Sequence, residues 1–108
     1  MTAADRPLLT PPLALAYLRE LSVDVGAAAV LDGEGAVLAG DPALAARAHA
    51  LLAGARDEAR AEAAEGGTTL AIRAPGGLAI AVEAGPRALL PLLEHDLRRV
   101  LADLAAAP

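Results

Sequence analysis

At 108 residues with 56% hydrophobic content, the chain suits one domain around a single core and is too apolar to be disordered. A net charge of −5, one tyrosine and no Phe or Trp exclude a nucleic-acid groove, which needs a basic patch and stacking side chains. The lack of Cys removes disulfides, thiolate chemistry and Cys-type zinc sites, and no run approaches the roughly 18 apolar residues of a membrane span, so a cytoplasmic protein is expected.

Residues 1–9 read as a loose lead-in, so the expected single domain spans 1–108 and is ordered over about 10–104. Thr10 can cap a helix, and Pro11 and Pro12 fall in a first turn, where their missing N–H groups cost nothing. Leu13, Ala14, Tyr17, Leu18 and Leu21 share one face of that helix, which should end near Ser22. A hairpin follows at about 26–31 and 36–40, joined through Asp32-Gly33-Glu34-Gly35. Asp41-Pro42 then starts a second helix, Asp as N-cap, expected to run to about Glu65 with Gly54 a weak point and Gly66-Gly67 as its end.

The second hairpin occupies 68–84 and turns at Pro75-Gly76-Gly77. Leu70, Ile72, Leu78, Ile80 and Val82 make one large apolar face, while the other carries mostly Ala and Thr with Arg73 and Glu83 as a possible opposite-charge pair. So small a face should also be covered, and the Ala-rich second helix is the element able to approach it. The last helix starts near Arg87 or Ala88, with Pro91 in its first turn and a stripe of Leu90, Leu93, Leu97, Val100, Leu101 and Leu104. The expected fold is α+β: an antiparallel sheet of two hairpins in the order α-β-β-α-β-β-α, with helices on both faces.

The second helix carries two apolar faces. Leu44, Ala48, Leu51, Leu52, Ala55 and Ala59 should meet the sheet, yet the opposite side carries Ala43, Ala46, Ala50 and Ala53 where a surface helix is ordinarily charged, with Arg47 and His49 on the flanks. A small-residue stripe lets another helix come close, so it reads as a subunit or partner interface, against the plain alternative that Ala is common throughout this chain. One strand order puts 25–31 and 77–84 in the centre and 36–40 and 68–74 at the edges, where Thr68-Thr69-Leu70-Ala71-Ile72 could pair with a second copy and Arg73 is the only obvious guard.

Catalytic chemistry finds little footing. Ser22 lacks a GxSxG setting and sits at a helix end, where a cap or turn role suits it. His49 and His95 have no metal-binding spacing. Asp32, Glu34 and Asp41 occupy turn and cap positions, and Gly33-x-Gly35 lacks the third glycine and following helix of a dinucleotide site. No catalytic, cofactor-binding or metal-binding residue is assigned, and an enzyme is not expected.

The passage AAAVLDGEGAVLAGD, the long helix after it, and the run from GLAIAVEAG into a Leu-striped final helix resemble the roadblock/dynein light-chain family over roughly residues 13–104. Only two strands are readable after the long helix, where the family has three; either one is lost or the 54–67 stretch hides something. The resemblance implies a roadblock/profilin-like fold and a non-enzymatic homodimer, joined through the long helix and the strand after it. Carried over, the dimer contact uses Ala43, Ala46, Ala50, Ala53, Thr69, Ala71 and Arg73, while Arg47, His49 and Arg56 face a partner, with a small Ras-like GTPase as the candidate. On the charge, hydropathy and motif grounds above, no cofactor, nucleic acid or membrane is expected. Two rival readings stand beside it: a small-molecule sensor domain of the GAF or PAS type, which shares the strand–DxxG–strand pattern, and a purely structural dimerisation module with no GTPase.

Overall fold

The computed structural model describes residues 10–53, 59–64 and 66–106. Its elements are α1 (Pro11–Leu21), β1 (Val25–Leu31), β2 (Val37–Gly40), α2 (Pro42–Leu52), β3 (Ala59–Ala64), β4 (Gly67–Arg73), β5 (Ala79–Ala84) and α3 (Leu90–Ala106). The five strands form one antiparallel sheet in the order β2-β1-β5-β4-β3. The α+β class and the two covered faces match the expectation, but the element order is α-β-β-α-β-β-β-α.

Local chemistry sets the helix starts. The Thr10 hydroxyl accepts from the Leu13 N–H at 3.4 Å, and Pro11 and Pro12 open α1. The Asp41 carboxylate accepts from the N–H groups of Ala43 at 2.9 Å and Leu44 at 3.4 Å, with Pro42 first in α2. Ser22 ends α1 as its C-cap, and its Oγ accepts from the Asp24 N–H at 3.3 Å.

The two sheet faces differ in side-chain size, and the helices sort accordingly. Val30, Leu70, Ile72, Ile80 and Val82 pack under α1 and α3, where Leu93, Leu97, Val100, Leu101 and Leu104 supply the other half of the core. Ala29, Ala71, Ala79 and Ala81 line the opposite face, onto which α2 lowers Leu44, Ala45, Ala48 and Leu52. Strand alternation alone produces this division. The buried side of α1 is rotated from the expected one: Ala14, Leu15 and Leu18 are buried, while Leu13, Tyr17 and Leu21 are about half exposed. Leu15 lies against Gly40, where no side chain competes for the space.

The main correction falls after α2. The helix stops at Leu52, Ala53 is extended, and Ala59–Ala64 is a strand. Ala, Arg and Glu prefer a helix by only a few tenths of a kcal/mol per residue over ordinary competitors. Against that stands β4, which is buried from Thr69 to Ile72. Pairing as β3 covers that strand's outer edge and extends the ladder, each hydrogen bond contributing about 0.5–1.5 kcal/mol net. The strand therefore wins, and Ala59 to Ala64 pair residue by residue with Ile72 to Gly67.

Candidate interaction surface

The outer face of α2 is exposed, made mostly of alanine, and carries few charges. Ala43, Ala46, Ala50 and Ala53 are all exposed, and only Arg47 and His49 interrupt them with polar groups. These residues sit above a helix whose underside is sealed, Leu44 and Ala48 being fully buried. The outward alanines are thus held on a rigid support.

The two polar residues are tied to their own fold. Arg47 pairs with Glu83 of β5 across the edge of the helix, both side chains about half exposed. The imidazole of His49 lies over Gly35 in the β1–β2 turn, which has φ +90 and where a Cβ would come within 2.7 Å of the ring. Arg73 does not pair with Glu83, because the register opposes Arg73 to Ala79 and Glu83 to Thr69. Its Nη1 instead donates to the Leu52 carbonyl at 3.2 Å, placing a cation at the C-terminus of α2, where the helix dipole favours it.

The positions expected at an edge are covered. Thr69 and Ala71 lie in β4, between β5 and β3, and are buried under α2. They support the helix from beneath, and the open edge next to α2 belongs to β3. Sequence reading missed this strand, although Ala alternates with Arg60 and Glu62 in period two just before Gly66-Gly67, which is a hairpin signal. Arg56 lies outside the described residues.

The two open edges are unequal. β2 spans four residues, and its register with β1 is broken by a bulge at Val30/Leu31. β3 spans six residues and pairs with β4 without a bulge. Bulges and short length blunt an edge, whereas a regular edge can accept another strand.

The acidic turn residues act on the backbone. The Asp32 carboxylate accepts from the N–H groups of Glu34 and Ala36, both at 2.9 Å, and closes the β1–β2 turn. Among the described residues no group of three or more His, Asp or Glu could hold a metal ion, and no helix is long and apolar enough to cross a membrane.

The sheet order, with one helix on the small face and two on the large one, recurs in solved structures. Two crystal structures of roadblock/LC7 domains from Streptomyces avermitilis superpose with TM-scores of 0.79 and 0.70, at 16% and 18% identity. The first match covers 89% of this chain and 95% of that one; the second covers 82% and 92%. The fold is that of a roadblock/LC7 domain. The gliding protein MglB from Thermus thermophilus shares this roadblock architecture with a TM-score of 0.62 and 21% identity, covering 85% of each chain. MglB in a tetrameric arrangement matches equally well. No family model and no curated protein matches the sequence. The strand that sequence reading left out of the roadblock pattern is β3.

Proposed function

We propose that this roadblock-like chain is a non-enzymatic regulatory or scaffold module that homodimerises through the outer face of α2 and the open edge of β3. One observation carries the reading: α2, with its row of exposed alanines, packs against β3, whose outer edge is unbulged. Antiparallel pairing of two β3 strands would extend the five-stranded sheet across both copies and set the two α2 helices side by side on one face. Ala43, Ala46, Ala50 and Ala53 would then be covered by their counterparts. The tetrameric arrangement of MglB supports self-association as a property this fold accommodates.

The helical platform so formed would engage a second protein, with Arg47 and His49 beside the contact. A small Ras-like GTPase is the partner that the roadblock resemblance implies, and a cytoplasmic location goes with that role. The sensor-domain alternative draws less support. Clefts bounded by described residues hold about 130 Å³ beside Arg47 and Glu83 and about 50 Å³ beside Asp32 and His49, short of the ~300 Å³ at which ligand pockets begin.

Light scattering on the wild type and on A46E/A50E tests the dimer. The wild type should have twice the chain mass and the variant the mass of one chain, with circular dichroism unchanged. Equal masses would remove α2 from the interface. A pull-down with a candidate GTPase loaded with GTP or GDP tests the partner, and equal absence of binding in both states would reject the regulatory role.

A further inference from the structure

The charge order of β3 specifies how two copies would join, an inference that rests on the homodimer reading above. Position 60 is in register with Ala71 and position 62 with Thr69, so both belong to the sheet face that α2 covers. Positions 59 and 61 are in register with Ile72 and Leu70 and belong to the other face. Two copies paired antiparallel along this edge are related by a two-fold axis normal to the sheet, which returns every residue to its own face. Directly opposed residues in such a pair share a face. The axis must therefore pass at a residue, never between two.

Central registers place that axis at position 60, 61, 62 or 63. At 63, Glu62 would oppose Ala64 and Arg60 would fall opposite a position beyond the strand, so no opposite charges would meet. At 60, Arg60 opposes Arg60 of the second copy; at 62, Glu62 opposes Glu62. Like charges directly opposed destabilise a strand pair, and opposite charges stabilise it. With the axis at Ala61, each Arg60 opposes Glu62 of the second copy, and no like charges among the described β3 positions meet. We propose that Arg60 and Glu62 are a self-complementary pair that sets the dimer in the register opposing Ala61 to Ala61. The strand thus selects a second copy of this chain, in one alignment, over a generic extended segment.

The absence of Cys makes the register directly readable by single substitutions. Opposed Cα atoms in an antiparallel pair lie about 4.5–5.5 Å apart, inside the disulfide range of about 4.4–6.8 Å. Under mild oxidation A61C should form a covalent dimer. R60C alone and E62C alone should not, since each lies one residue off the axis and about 8 Å or more from its own copy. A mixture of R60C with E62C should cross-link. In sedimentation equilibrium R60E and E62R should each weaken self-association about tenfold, from two cross-strand pairs reversed in sign, and R60E/E62R should restore it. A dimer that cross-links through R60C or E62C alone, or that A61C fails to bridge, overturns the register and leaves the homodimer standing. A wild-type chain that sediments as a monomer at high concentration overturns both.

Discussion

Replacing Ala81 with Leu should destabilise the fold by about 2 kcal/mol, because the layer beneath α2 is closed. Ala81 is opposed to Ala29 on β1 and to Ala71 on β4, giving a row of alanines across the three central strands, each with 0% exposure. Ala45 and Ala48 of α2 are buried in the same cluster. Leucine adds three carbons there, which would contribute roughly 0.8 kcal/mol each if empty space received them. With the layer filled, overpacking costs about 1–3 kcal/mol instead, relieved only by lifting α2 and exposing part of Leu44 and Leu52. For a domain of this size that is a fall in Tm of about 10 °C, or a urea midpoint lower by about 1–1.5 M. The assay is urea unfolding followed by circular dichroism at one fixed protein concentration, because dimerisation makes apparent stability concentration-dependent. Ile80→Val, one residue away on the other face, is the control at about 1 kcal/mol. An unchanged or raised midpoint for A81L would refute close packing of α2 on an alanine floor.

Gly35→Ala should cost about 1–2 kcal/mol, from a positive φ and from the clash with the His49 ring; adding His49→Ala should recover the steric part and leave the backbone part, read as a double-mutant cycle in urea. Asp41→Ala should cost about 1 kcal/mol by leaving two N–H groups at the start of α2 without their acceptor, while Asp41→Asn should recover most of it in thermal melts. Arg47→Ala should change stability by less than about 1 kcal/mol, since its pair with Glu83 is half exposed and screened. A loss of partner binding in that variant, measured by titration calorimetry, would then report contact with the partner rather than unfolding.

Much of the architecture was legible as local chemistry. Thr10 and Asp41 cap helices because their side chains reach N–H groups two or three residues on, whatever surrounds them. The alternation in 67–73 and 79–84 places large side chains on one face and small ones on the other, which already assigns the Ala-rich helix to the small face. The outer row of Ala43, Ala46, Ala50 and Ala53 was also readable from helical spacing alone.

What depended on tertiary structure was the fate of residues whose local preferences are weak or mixed. Ala59–Ala64 has the composition of a helix and the alternation of a strand, and pairing along the outer edge of β4 decides between them. Arg73 and Glu83 look like cross-strand partners until the register opposes each to a neutral residue, sending one to the end of α2 and the other to Arg47. Caps, turns and alternation act within a few residues and are written along the chain. Edge pairing, register and ion-pair choice depend on distances between segments far apart in sequence, and those exist only once the sheet has closed.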